Sequence, residues 1–290
     1  MINSFLEMFS YGFMVKAIIV GLLVSLCSAL LGVSLVLKRY SMIGTGLSNV
    51  GFGSLAIATV LGISPLALSM PVVIIAAFFL LRLNSNSKIK GDSAIALVST
   101  SALAIGVIVI SLSTGMNTDV CNYMFGSILS LTGSDVYLSI GLSVAVIILF
   151  VLFYHRLFAV TFDEGFTKAT GTKAGVYNSL LAILTAVTIV LGMRMMGALL
   201  ISSLIIFPAL TSMRLCKSFK SVIICSSIVS LICFFVGVFL SFHLSDIYAL
   251  PTGATIVAVN LAVFLVFSLI SLVKRKIILS SKKKKQELKA

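Results

Sequence analysis

The chain has 290 residues, 60% hydrophobic and only 10% charged, with no Trp. Apolar runs of about 18 residues or more mark membrane-spanning helices; their number excludes a soluble protein with one anchor, and runs such as 144–153 lack the alternation of a β-barrel strand. The net charge of +13 does not indicate nucleic acid, because Lys274, Arg275, Lys276, Lys282, Lys283, Lys284, Lys285 and Lys289 follow the last apolar run with no aromatic interleaving.

In chain order, residues 1–13 carry Glu7 and no basic segment. The first apolar run is too long for a signal-peptide core, so the first span is expected to stay in the protein. Residues around Phe5, Leu6, Met8 and Phe9 fit a short interfacial helix. Spans are predicted at about 12–37, 45–62, 65–83, 92–113, 135–155, 176–192, 195–214, 219–242 and 253–273. With Lys38 and Arg39 inside, alternation puts every Lys and Arg on the inner side except Lys16 and Arg194. That satisfies the positive-inside rule. The expected fold class is all-α and polytopic, with about nine transmembrane helices, the N-terminus outside and the C-terminus inside. Two crossings share 176–214, with Arg194 at their outer turn, so eight spans is the alternative. Segment 114–134 lies outside and is too polar to cross. A transmembrane domain over 1–275 and a basic cytoplasmic tail over 276–290 complete the division. The tail reads equally as an anchor on anionic membrane lipids or as a solvated end.

Little here can do covalent chemistry. There are two His and eight acidic residues, no P-loop, no HExxH and no nucleophile–base set. Ionisable groups at membrane depth are scarce, which argues against an enzyme. The five cysteines (27, 121, 216, 225 and 233) show no CxxC spacing and imply no disulfide framework.

Three stretches stand out. In GTGLSNVGFG, residues 44–53, Thr45, Ser48, Asn49 and Phe52 share one helix face at i, i+3, i+4 and i+7. A polar stripe among glycines suits a substrate path or a helix–helix contact; spacing alone favours the contact. The inner connection RLFAVTFDEGFTKATGTKAG, residues 156–175, could hold a short surface helix ended by Gly171, a docking knob, or be an ordinary solvated loop. In 196–215, Ser202, Ser203 and Pro208 interrupt a long apolar run, and Pro208 removes one helical hydrogen bond.

Five motifs then occur in order across 38–260: KRYSMIGTGLSNVGFGSLAIAT, KGDSAIALVSTSALAIG, FAVTFDEGFTKATG, GMRMMGALLISSLIIFPALTSMRL and LPTGATIVAVN. Together they resemble the membrane permease of zinc/manganese/iron-type ABC importers. The resemblance implies a multi-pass protein of the plasma or inner membrane that pairs with a second permease copy. It implies two further partners: a cytosolic ABC ATPase, which binds the ATP, and an extracellular lipoprotein or periplasmic binding protein, which delivers the metal. No tightly bound cofactor is expected in the permease itself. The segment 162–171 matches the family's coupling helix, which makes Phe162, Asp163, Glu164, Phe166 and Gly171 the candidate ATPase contacts.

Thr45, Ser48, Asn49 and Phe52 become pathway or gate candidates. The family pattern there reads like GDxxSH, with Asp and His as metal ligands or gate residues; this chain has Thr45 and Asn49 in their places. Neutral oxygens are poor ligands for a divalent transition ion. Either metal still passes with selectivity set elsewhere, or a metal chelate or other solute is carried, or the chain is an impaired form. Asp92, His243 and Asp246 are the remaining metal-ligand candidates. Asp92 also reads as a helix N-cap, and the His243/Asp246 pair as a wetted helix end. The rival to an ABC permease is an ATP-independent secondary transporter or channel, which calls for ionisable groups at mid-membrane.

Overall fold

The computed structural model describes residues 10, 12–86, 91–113, 126, 133–244 and 251–287. Among these lie eleven helices and no strand. They are α1 (Gly12–Leu37), α2 (Ile43–Val60), α3 (Pro65–Asn86), α4 (Gly91–Ser113), α5 (Gly133–Leu152), α6 (Tyr154–Phe162), α7 (Glu164–Ala169), α8 (Ala174–Met196), α9 (Ala198–Leu215), α10 (Phe219–Leu244) and α11 (Thr252–Glu287).

Helices are the natural answer to this composition, since hydrocarbon offers no partner to a free backbone N–H or C=O. Among the described residues seven helices are long and apolar enough to cross: α1, α2, α8, α9, α10, residues 93–112 of α4 and residues 252–274 of α11. An eighth crossing arises if α5 and α6, bent by 69°, count as one. The ninth expected span is α3, whose apolar part, Pro65–Leu80, is shorter and contains Pro71. The chain is thus an all-α, multi-span membrane protein. Between 174 and 215 the chain forms two helices, each long enough alone. They part at Gly197, whose φ of 88° favours a residue without a side chain. The final helix continues past the expected boundary at 275 as far as Glu287.

The segment read as an inner loop begins as helix α6. Its buried residues Leu157, Val160 and Thr161 fall at i, i+3 and i+4 and hold it against the bundle.

α1 and α2 are the most enclosed spans, with 78% and 72% of their apolar windows buried, against 11% for α11. α1 packs on α5, α8, α9 and α10, whereas α2 packs on α3, α4, α8 and α9. Small residues set these approaches. A Cβ on Gly32 would lie 2.1 Å from the Ile205 carbonyl oxygen, and one on Gly53 would lie 2.7 Å from that of Ala102. Backbones therefore meet directly between α1 and α9 and between α2 and α4. Buried hydroxyls such as Ser28, Thr185 and Thr188 donate to carbonyls one turn back in their own helices. The outer faces of α4 and α11 expose Leu97, Ile108, Leu112, Leu265 and Leu269, an apolar surface suited to lipid.

The α1–α2 turn is tight. Arg39 has φ 62°, a left-handed conformation uncommon for a residue with a side chain. Tyr40 N–H donates to Leu35 O (2.8 Å) and Arg39 N–H to Val36 O (3.0 Å), the paired bonds of a Schellman helix end.

Candidate functional site

Helix α2 carries the polar stripe into the centre of the bundle. Ser48 is buried. Its hydroxyl donates to the Thr45 carbonyl at 3.0 Å and shares a hydrogen bond of 3.1 Å with Ser202 on α9. Asn49 Nδ2 donates to Ser99 Oγ on α4 at 2.7 Å. Phe52 is wholly enclosed and lies over Gly106, where a Cβ would sit 2.7 Å from the ring. Within one chain, then, the stripe ties α2 to α9 and α4, while Thr45 and Asn49 stay half-buried. This is the helix–helix contact that spacing favoured. Ser99 was not singled out from the sequence, because nothing in LVSTSAL distinguishes it until α4 is laid on α2.

Of the three metal-ligand candidates, only the His243 side chain lies among the described residues. Among the described residues no group of three or more His, Cys, Asp or Glu could hold an ion. His243 lies half-buried in the last turn of α10, its ring parallel to Phe239 at 6.1 Å. Asp246 lies outside the described residues, as does the side chain of Asp92, the second residue of α4. Cys121 is also outside them; Cys27, Cys216, Cys225 and Cys233 are free thiols.

The second assembly is built around α7. Asp163 is extended and caps the helix: its Oδ1 accepts from Phe166 N–H at 2.8 Å. Its carbonyl accepts from Thr167 Oγ1 at 2.6 Å. Gly171, at φ 79°, ends the turn. The result is a six-residue helix with an N-cap at one end and a left-handed glycine beyond the other. Phe162 and Phe166 are 58% and 67% exposed. Phe162 closes a ring cluster with Phe158 (4.9 Å) and Phe219 (5.7 Å). Phe166 projects beyond that cluster.

Glu164 holds α7 to the bundle. Its Oε1 pairs with Lys168 Nζ at 2.8 Å, and its Oε2 accepts from Asn178 Nδ2 on α8 at 3.0 Å. Asn178 Oδ1 accepts in turn from Lys38 Nζ at the end of α1. The Lys168 hydrogen bond is the main reason the Glu164 carboxyl lies below its ordinary range; Asn178 and the charges of Lys168 and Lys38 act the same way, against partial burial. Burial lowers Lys38, and the Glu164 charge partly offsets it.

Residues 10–271 match the model of the ABC 3 transport family. The chain belongs to this family. Its relatives include the manganese import system permease protein ScaB of Streptococcus gordonii, 28% identical over 92% of this chain and 94% of that one. The probable iron transport system membrane protein of Haemophilus influenzae is 32% identical, over 93% and 94%. Among solved structures, PsaBC from Streptococcus pneumoniae in complex with Fab superposes with a TM-score of 0.80 at 28% identity, covering 92% of this chain and 95% of that one. This ABC 3 family member is a multi-pass transport permease of the cell membrane and not an enzyme.

Proposed function

We propose that this chain is the membrane subunit of an ATP-driven importer that passes a divalent first-row metal ion, Mn(II), Zn(II) or Fe(II), into the cell. The observation that carries the reading is the end-to-end likeness to permeases named for manganese and iron transport. The chain has no P-loop, so ATP is bound by a separate cytosolic subunit. In this reading the N-terminus lies outside and the C-terminus inside. α6 and α7 then face the cytoplasm, where the exposed rings of Phe162 and Phe166 seat in the ATPase. Asp163, Glu164 and Gly171 hold α7 in shape for that contact. A second permease copy completes the path, and an extracellular binding protein delivers the ion to it.

Thr45 and Asn49 act as a weak gate in this scheme. Conduction needs sites that let an ion enter and also release it. Hydroxyl and amide oxygens hold a divalent ion more loosely than a carboxylate and an imidazole, so selectivity falls mainly to the binding protein. The same neutrality favours a second reading, in which a metal chelate or another solute that needs hydrogen bonds rather than ligands is carried.

The test is elemental mass spectrometry of cells without their own importers that express the permease with its cognate ATPase and binding protein. A Thr45→Asp, Asn49→His double variant runs beside the native chain. Accumulation of one metal by the native chain is the expected result. Accumulation by the double variant alone would overturn the native gate and favour the second reading.

A further inference from the structure

We infer that Lys38, Asn178 and Glu164 form a mechanical relay that passes movement of α7 to the α1–α2 corner, and so to the helix that carries Thr45, Ser48 and Asn49. The inference rests on the ATPase-docking reading of α7 and names residues by which docking would act on the path. Its observation is the continuous hydrogen-bonded chain from Glu164 on α7, through Asn178 on α8, to Lys38, which lies 140 residues from Asn178 in sequence.

Three physical features make this more than a local brace. The first is burial. Lys38 is half-buried, and a buried ammonium without an acceptor is costly. Its acceptor is the Asn178 amide, whose NH2 end is engaged by Glu164. A shift of α7 that pulls Glu164 away strips the amide of its acceptor and Lys38 of its nearby negative charge. The displacement is then felt at Lys38, across α8.

The second feature is stiffness at the receiving end. Only residues 38–42 separate α1 from α2. That turn is fixed by the Schellman bonds and left-handed Arg39, and Ile43 N–H donates to Tyr40 O at 3.0 Å to start α2. A push on Lys38 therefore has little slack to absorb it before α2. The third is freedom at the sending end. α7 is short, bounded by extended Asp163 and left-handed Gly171. Glu164 is also shared: Lys168 holds one oxygen and Asn178 the other. Rotation of α7 can strengthen the first contact while releasing the second.

The relay residues are positioning residues, so their test must separate coupling from docking and folding. Asn178→Leu cuts both links at nearly constant volume, and Lys38→Met removes the far end. Each variant is purified with the native ATPase and binding protein and placed in proteoliposomes. Uptake of Mn(II), Zn(II) and Fe(II) is measured together with ATP hydrolysis. Asn178→Leu and Lys38→Met are expected to retain the ATPase and its turnover but to lose roughly five-fold or more in ions moved per ATP hydrolysed.

A second arm needs no cargo. Spin labels at Val60 on α2 and Leu269 on α11, both exposed, report their separation by pulsed EPR with and without ATP and vanadate. The native complex should shift on trapping, and Asn178→Leu should not. A native ion-per-ATP ratio in both severed variants would overturn the relay. So would loss of the ATPase from them, which would make these residues part of the docking face, or a native EPR shift in Asn178→Leu. If the native complex takes up none of the three metals, the cargo reading fails, and the EPR arm still decides the relay.

Discussion

The polar stripe on α2 and the α7 corner use polar and aromatic residues in opposite ways. Along α2, Ser48 and Asn49 spend their hydrogen bonds on Ser202 and Ser99 of neighbouring helices, and Phe52 is sealed. Around α7 the polar groups serve the backbone and the bundle, while Phe162 and Phe166 stand outward. The contrast follows from the two solvents. Inside hydrocarbon an unpaired polar group has nowhere else to turn, so it is satisfied within the fold. At a water-facing corner polar groups are already content, and an exposed aromatic has area to bury only against a partner. The first region satisfies its polar groups within the chain; in the proposed reading the second is completed by an ATPase.

The contrast can be broken by substitution, starting with the framework. Gly32→Val would drive Cβ into the Ile205 carbonyl, 2.1 Å away, forcing α1 from α9 and disturbing the α9 side of the stripe at Ser202. A loss of about 3 kcal/mol or more is expected, read as a collapse in monodisperse yield. Next comes the outward face. Phe166→Ala should cut ATPase co-purification by roughly ten-fold or more, as loss of a buried interface aromatic does, with the permease's melting temperature unchanged. A lowered melting temperature with intact binding would reverse the assignment of inner and outer faces.

Smaller effects sharpen the same distinction. Asn49→Leu removes the link to Ser99 and should cost about 1 kcal/mol of stability in the membrane, seen as a modest fall in melting temperature in detergent. Asp163→Ala removes the cap on α7 and should cost that helix about 1 kcal/mol, read as faster amide exchange confined to 164–170. The smallest response is to pH. The Glu164 carboxyl lies below its ordinary value of 4.5. Its contribution is therefore fully present above that value and is lost only as pH falls through the lower folded value. Exchange protection of α7, corrected for intrinsic rates, should be unchanged from about pH 8 to about pH 5.5.

Much of the fold was legible because apolar length and basic punctuation report helices directly. The break near Arg194 was visible as two crowded spans, though not as a left-handed Gly197. The short helix at 164–169 could be read from FDEGFTKATG and its Gly171 stop, though not the Asp163 cap. The bend into α6 was hidden, because RLFAVTF opens a connection that DEGFTKATGTKAG makes polar, until Leu157 and Val160 find the bundle. Cross-helix partners were hidden for a deeper reason. Ser99 with Asn49, and Lys38 with Asn178, are set by packing between segments 50 and 140 residues apart, and no local pattern encodes such a pairing. Thr45 and Asn49 were plain from the motif, but in the proposed reading their consequence depends on a second chain.

The most direct test of the account is ion uptake by proteoliposomes containing the permease, its ATPase and its binding protein. Mn(II), Zn(II) and Fe(II) are each supplied with ATP or with a non-hydrolysable analogue. The account predicts uptake of at least one of these ions with ATP and none with the analogue. Equal uptake under both conditions, or by vesicles lacking the ATPase, would contradict it and make the chain an ATP-independent transporter.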